Sequence, residues 1–542
     1  MPATRDGFGQ LLHAEWTKLR TVRGWTIGLL VAVFLTIGIG LLGPAGSQSS
    51  CSHADGSSGS CTAQSPPKRA DGLEVTDEKT FVHRTLSGDG SITARLTALS
   101  GVYPAGGGSP DGDQGLVPGL LPWSKAGVLV KDGTAAGSAY AAVLATGTHG
   151  VRMQYDYTGD LAGLPGTVGA AAPRWLRLTR EGDVLTGYDS ADGSTWARIG
   201  STRLSGLPRD LEVGVFATSP DYAVIKNSFG GSSVNTGPSL ATGTFDRVTV
   251  SGQSPGAWTV PAEGPGAPGG PGGPANAPGP RSGPGNGTGP GSDKPGSHPG
   301  AVATGADAFI VTGSGDIAPA SAGVGSGKTV ESALAGTFAG LIAVIVVAAL
   351  TMTSEYRRGL IRTSLAASPR RGRLLAAKAV VLGGTAFVVG LIAAAAAVPA
   401  VTAVEHSKGM YVFHASTQDE IRMVVGTAAL LAVAAVLALG VATIVRRGAA
   451  AVAAVIVVIV VPYVLATASV LPAGAAEWLT RVTPAAAFAV QQTSKPWAQV
   501  VAVYTPSNGY YPLSPWLGLA VLALYAAGAY ALAHRLLKRR DA

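Results

Sequence analysis

The chain predicts a multi-pass α-helical membrane protein of six transmembrane helices, with an extracellular all-β sandwich inserted between helices 1 and 2. Three observations carry this. Apolar residues make up 46% of the 542 positions and charged ones only 13%, yet the long apolar runs crowd into residues 1–43 and 333–542. The stretch between them alternates short β-type runs with Gly-rich turns, then dissolves into Pro and Gly. The cations stand beside the apolar runs, most densely in Ser354–Lys378, which holds six arginines, one lysine and a single carboxylate.

A helix crossing a hydrocarbon core of roughly 30 Å needs about 20 apolar residues. Six segments qualify: Trp25–Leu42, Ala333–Met352, Ala376–Val401, Met423–Val445, Gly448–Leu471 and Trp516–Ala533. Neighbouring spans alternate in direction, so one orientation is tested by every loop. With the N-terminus inside, the inner segments are 1–24, 353–375, 446–447 and 534–542, and all four are basic, as short inner loops are. Both termini are thus expected in the cytoplasm and residues 44–332 outside the plasma membrane. The net charge of +8 is therefore topological, and nucleic acid is not an expected partner.

The domains follow. Residues 1–24 form an interfacial helix on the inner leaflet, with Leu11, Leu12, Trp16 and Leu19 near one face and Glu15 and Lys18 elsewhere. Residues 25–43 are the first span, too long for a secretory signal core. Residues 44–70 are a Ser/Gly-rich tether, in which Cys51 and Cys61 are a candidate disulfide if the segment is extracellular, free thiols being the alternative. Residues 71–250 are the sandwich, its strands at Ser91–Leu99, Trp175–Arg180, Val184–Asp189, Thr195–Ile199, Leu211–Ala217 and Phe245–Val250 divided by turns such as Glu181-Gly-Asp183. Residues 251–332 read as a disordered Pro/Gly-rich linker. Its 50 richest residues would span about 40 Å, letting the sandwich stand away from the membrane. The second span (333–352), a basic loop (353–375) and the remaining four spans with a basic tail (376–542) complete the chain.

No Asp, Glu, Lys, Arg or His stands at the middle of a span, which argues against an ion-coupled pump. Gly336-x-x-x-Gly340 and Gly24-x-x-x-Gly28 suit ordinary close packing of helices. Gly325-Ser-Gly-Lys328-Thr329 imitates a phosphate-binding loop, but Ala322 stands where its first glycine belongs and no strand precedes it. Hydrolysis within the sandwich would need two flanking carboxylates, and Glu181-Gly-Asp183-Val-Leu-Thr186 supplies no such set on a strand. The chain is expected not to be an enzyme, to have neither catalytic nor metal site, and to need no cofactor of its own. Trp123, Trp175 and Trp196 offer rings for sugar stacking or for a buried core.

Two resemblances sharpen this. Ser124–Val130, Trp175–Gly182, Tyr188–Trp196 and Val213–Ala217 resemble concanavalin A-like sandwich domains, which implies a lectin-like fold and leaves a glycan or cell-wall ligand open. Leu12-His-Ala-Glu-Trp-Thr-Lys-Leu-Arg20, Glu355-Tyr-Arg-Arg-Gly-Leu-Ile-Arg-Thr-Ser-Leu-Ala-Ala-Ser-Pro-Arg370 and Trp478-Leu-Thr-Arg-Val-Thr-Pro484 resemble the membrane subunits of ABC-2 type ABC transporters. That resemblance implies a permease, an exporter, pairing with a second copy or related subunit in the bilayer and driven by a separate cytosolic ATPase that binds the ATP. It implies short outer helices before the last span. It also implies that the basic loop, with Glu355, Arg357, Arg358, Gly359, Arg362, Pro369 and Arg370, docks on the ATPase, the guanidinium groups of Arg357, Arg358 and Arg362 offering charge-assisted contacts to its surface and Glu355 pairing locally. The large first outer segment departs from the family pattern. A membrane-anchored surface sensor or carbohydrate-binding protein is the alternative reading.

Overall fold

The computed structural model describes residues 7–45, 50–52, 58–60, 65–104, 116–169, 171–228, 231–262, 298–321, 327–357, 359, 371–468, 471–500, 502 and 504–539. An amphipathic helix α1 (Phe8–Thr21) leads into α2 (Arg23–Ala45). The strands follow α2. Then come α3 (Thr337–Arg357), α4 (Arg371–Ser407), α5 (Thr417–Val445), α6 (Gly448–Thr467), the short α7 (Ala473–Val482) and α8 (Pro515–Arg539). All but α1 and α7 are long and apolar enough to cross a membrane, with one such segment running from Val330 through α3.

The β unit is a sandwich organised by one long strand, β1 (Thr80–Pro104). Its first half, Thr80–Ser87, pairs antiparallel with β9 (Asp210–Thr218). From β9 that sheet continues through β2 (Lys125–Lys131), β3 (Tyr140–Thr146), β4 (Val151–Tyr155) and β5 (Gly159–Ala162). Beyond Gly90 the same strand pairs on one side with β6 (Arg174–Glu181), then β7 (Val184–Ser190) and β8 (Ala197–Arg203). On its other side lies β10 (Leu240–Gln253). Alternation puts Ile92, Ala94, Leu96, Leu176, Leu178 and Leu185 inward from one sheet, against Val128, Val130, Val143, Met153, Val213 and Val215 from the other. Each inward side chain is at most 2% exposed, so this is a dry core, with about 1.5–3 kcal/mol favouring burial of each full-sized Val, Leu or Ile.

The stretch read as a linker out to residue 332 is partly built into the sandwich. Here β11 (Gly300–Ala303) and β12 (Phe309–Gly313) add to β10, Phe309 packing beside Phe245 in the core. Ile317–Pro319 pairs with Val75–Asp77 to cap the outer face of the second sheet. Short runs such as Phe309-Ile-Val311, set among Gly, Ala and Asp, gave no periodicity above their surroundings; a sheet edge and a core gap select them. Residues 263–297 lie outside the described residues. In the segment read as a tether, Ser50–Ser52 pairs with Ser58–Ser60. Cys51 is in the first of these strands, and Cys61 falls outside the described residues.

That cap explains why β2 and β3 are buried on both faces. Lys125 and Lys131 project to the capped side, where Lys125 meets Asp316, and Lys131 lies 2.9 Å from Asp77. Two lysines at 0% and 1% exposure persist only because each finds a carboxylate from the cap.

The sandwich is docked on the helices rather than held away from them. Glu74 Oε1 accepts from Tyr411 Oη at 2.9 Å and from the His414 amide at 3.0 Å, both residues lying between α4 and α5. Gln499 donates to the Tyr157 carbonyl at 3.2 Å. Lys328 exchanges backbone hydrogen bonds with Tyr411 and Phe413. With strands reaching Pro319, only ten residues separate the sandwich from Val330 on that side.

Within the helices, apolar clusters identify two ends. At one end Leu19, Met352, Leu375, Leu439, Ala451 and Leu537 meet; at the sandwich end Val330, Leu334, Ala397, Ala415 and Met423 do. Successive long helices therefore run in alternating directions. The glycine pair at 336 and 340 is a packing face: a Cβ at Gly336 would fall 2.2 Å from the Thr36 carbonyl, and one at Gly340 2.1 Å from Thr36 Oγ1. This lets α3 lie directly against α2.

Between α7 and α8 the chain makes a 3₁₀ segment, Pro484–Gln491, buried throughout. Phe488 stacks on Tyr463 with ring centres 3.8 Å apart, and Gln491 donates to Thr337 Oγ1 and Thr427 Oγ1 at 3.0 and 3.1 Å. Non-helical backbone among apolar side chains is tolerated only when protein covers its polar groups, and α5, α6 and α8 do so.

Candidate functional site: a buried charge network at the basic end

The end of the bundle away from the sandwich gathers the cations. Lys18, Arg20 and Arg23 stand where α1 meets α2, Arg357 at the end of α3, and Arg371 and Arg373 at the start of α4. Arg446 and Arg447 lie between α5 and α6, and Arg535, Lys538 and Arg539 close α8. Arg446 takes a left-handed conformation (φ +60°) that ends α5, and its guanidinium lies 5.1 Å from the Tyr356 ring centre. Arg371 donates to the Leu537 carbonyl at 2.8 Å, tying α4 to α8.

Among these cations is a four-membered network that joins three helices. Lys378 donates to Glu15 Oε2 at 2.7 Å and to Glu355 Oε1 at 2.6 Å. Lys18 donates to Glu15 Oε1 at 2.8 Å and reaches Glu355 Oε1 at 3.3 Å. Lys378, Glu355 and Glu15 are 3%, 5% and 8% exposed, and the four formal charges cancel. The network sits on an apolar floor of Leu19, Met352, Leu375 and Leu382. Burial raises the pKa of Glu15, but Lys378 and Lys18 together outweigh it and hold the carboxyl below its usual 4.5. Burial likewise lowers Lys18, and Glu15 with Glu355 outweighs that, leaving it above its usual 10.5. Glu355 Oε2 has no hydrogen-bond partner among the described residues.

Several sequence expectations change here. Glu15 was expected away from the apolar face of α1, with Trp16 on it; instead Glu15 and Leu19 point inward and Trp16 is 46% exposed. The inward stripe follows the partner, Lys378, rather than hydropathy. Glu355, placed in the basic loop and expected to pair locally, stands near the end of α3 and is 5% exposed, its carboxylate answering Lys378 and Lys18. The loop is also shorter than 353–375: α3 runs to Arg357 and α4 begins at Arg371. Arg357 and Gly359 are exposed, Gly359 with φ +67°. Arg358, Arg362, Pro369 and Arg370 lie outside the described residues.

Of the three tryptophans, Trp123 is buried and Trp175 and Trp196 are half-buried. Trp123 is 7% exposed and stacks on His149 with centres 4.0 Å apart. Arg177 covers Trp196 at 3.8 Å, and Arg95 and Arg247 approach Trp175 at 5.7 and 5.5 Å. Each ring is engaged by the protein's own side chains.

Fold and site define a bundle of long apolar helices joined to an all-β domain, with an anchored amphipathic helix at its basic end. No protein-family model and no curated protein matches the chain. Among solved structures, a functionally unknown protein from Saccharomyces cerevisiae is similar at 14% identity, covering 36% of this chain and 85% of its own, with a TM-score of 0.20. The eqolisin-family peptidase SCP-B, in complex with the tripeptide Ala-Ile-His, has 10% identity over 34% of this chain and 84% of its own, TM-score 0.19. A seed lectin of Lotus tetragonolobus has 13% identity over 32% and 83%, TM-score 0.13.

Proposed function

We propose that this chain is the membrane-spanning permease subunit of an ABC-2 type transporter, an exporter energised by a separate cytosolic ATPase. In this reading the basic end faces the cytoplasm and the sandwich the exterior of the cell. The observation that carries it is the network of Glu15, Lys18, Glu355 and Lys378. It locks an amphipathic helix to the base of α3, at the point where the chain leaves for its arginine-rich loop. A force applied to that loop by a partner would then pass into α1 and α4 together, since buried charges held by three helices resist separation. Exposed Arg357 starts the loop and offers charge-assisted contacts to an acidic partner surface. A second copy or related subunit would complete the pathway. The concanavalin A-like character of the sandwich belongs to the same proposal, with a glycan ligand the weaker part because arginines cover Trp175 and Trp196.

Purification of the tagged chain from its own host in mild detergent should recover an ATP-binding-cassette ATPase. Reversing charge at Arg357 and Arg358 should weaken that recovery at least fivefold with the chain still monodisperse. Recovery of no ATPase, or recovery indifferent to both arginines, would count against the proposal.

A further inference from the structure

One sheet of the sandwich runs β8, β7, β6, β1, β10, and its inward residues Ile92, Leu96, Leu176, Leu178 and Leu185 leave their neighbours on the outer face. There Arg177 stands opposite Tyr188, and Tyr188 opposite Arg198; on the other side Trp175 stands opposite Arg95, and Arg95 opposite Asp246. Arg247 follows at a bulge of β10, exposed and with φ +50°. Neighbouring strands lie about 4.8 Å apart, so these guanidinium groups form a row across the sheet. Arg177 is held over Trp196 at 3.8 Å and donates from Nε to Thr93 at 3.0 Å, while its terminal nitrogens have no hydrogen-bond partner among the described residues. Arg198 is exposed and donates to the Ser201 hydroxyl. The nearby carboxylates stand at the rim. Asp246 is engaged by Arg95, Asp192 by the Ser194 and Thr195 amides and Asp89 by the Gly182 amide, with Glu181 exposed at the turn. The helices are met from the opposite side of the sandwich, through Glu74 and Tyr157 on the capped sheet, so the arginine face points away from them.

A guanidinium packed on an indole has little freedom left to lose and is weakly hydrated, the state in which it pairs well with carboxylate or phosphate. The arginines that close Trp175 and Trp196 to a neutral sugar therefore offer fixed positive charge instead. A row of such charges across five strands suits a chain with repeated anionic groups better than one small anion. The apolar helices lie on the far side, which removes their own bilayer as the occupant. We infer that this sheet face binds an anionic polysaccharide, its carboxylate or phosphate groups on Arg95, Arg177, Arg198 and Arg247, with Tyr188 beneath the chain between them. Binding follows from the face alone. That the polymer belongs to the cell exterior deepens the glycan part of the proposed function and rests on the orientation given there.

The full-length chain in phosphatidylcholine nanodiscs would be titrated with fluorescent polygalacturonate and dextran phosphate, and with neutral dextran and duplex DNA of matched length. Anisotropy would be read against empty discs. Saturable binding of an anionic glycan is expected, weakened by added salt, with none for dextran and weaker binding for DNA; the better of the two glycans names the anion. Arg198→Gln, at an exposed position, should weaken that glycan about tenfold, the loss of one charge-assisted contact. Adding Arg177→Gln should weaken it further, with the sandwich unfolding as in the parent chain. Arg535→Gln with Lys538→Gln, at the basic end of the bundle, should leave glycan affinity unchanged. Binding of neither glycan, equal binding of dextran, tighter binding of DNA, or full affinity in Arg198→Gln would each overturn the inference, as would a loss that follows the Arg535 and Lys538 pair instead. An ATPase recovered with the chain alongside a null titration would sink this face and leave the permease proposal standing; the converse pair would do the reverse.

Discussion

Lys378→Met is the sharpest probe of the basic-end network. The substitution keeps an unbranched side chain of similar length and removes one charge. Lys378 answers two carboxylates at 2.7 and 2.6 Å and is 3% exposed, so its loss leaves Glu15 and Glu355 sharing one half-exposed ammonium, Lys18. Removing one partner of a buried ion pair costs about 3–5 kcal/mol, because the remaining charge stays desolvated. Replacing the buried set together, as Glu15→Gln, Glu355→Gln and Lys378→Met, should recover most of that loss, since neutral groups carry no such penalty. Equilibrium unfolding in mixed detergent micelles, followed by tryptophan fluorescence, measures both. Lys378→Met and Glu355→Gln should also couple by about 0.5–3 kcal/mol in a double-mutant cycle. A loss below about 1 kcal/mol for Lys378→Met, or strict additivity with Glu355→Gln, would refute the claim that these charges hold α1, α3 and α4 together.

Other outcomes follow from the same geometry. The network has an acid and an alkaline limit. Glu15 is held below its usual value, so its contribution is present above pH 4.5 and is lost as pH falls through the lower folded value; Lys18 is held above its own, so its contribution is present below pH 10.5 and is lost as pH rises through the higher folded value. Protease susceptibility of α1 should accordingly be flat between those limits and rise outside them; a step near neutrality would contradict this. Tyr411→Phe removes one hydrogen bond to the Glu74 carboxylate, a loss of about 1.5–3 kcal/mol, and should speed amide exchange at His414 without unfolding the sandwich. Burial first, and the bond to Glu74 second, push the Tyr411 phenol up to about 12, so the dock should persist to that pH. Gly336→Val would drive a side chain onto the Thr36 carbonyl, and should cost at least about 1–3 kcal/mol with loss of monodisperse protein; normal yield and stability would show that α2 and α3 do not meet there.

The six long apolar helices were legible in the chain because span length is a local property: a run of Leu, Val, Ile and Ala announces itself without knowing its neighbours. The strands at Trp175–Arg180 and Val184–Asp189 were legible for a similar reason, since alternation and a Glu-Gly-Asp turn are written in a dozen residues. Glu15 was not. Its inward orientation depends on Lys378, 363 positions away, and on a helix face that hydropathy assigns to Trp16.

Sequence alone determined which segments are apolar enough to leave water, the alternation of basic and non-basic connections, and the β character of the middle third. Tertiary structure decided that residues 298–321 rejoin the sandwich, that the sandwich rests on the bundle, and that Glu355 is buried. The reason is physical: hydrophobic length and strand alternation arise from neighbours along the chain, whereas a sheet edge, a counter-charge or a cavity exists only once distant residues have been brought within a few ångströms.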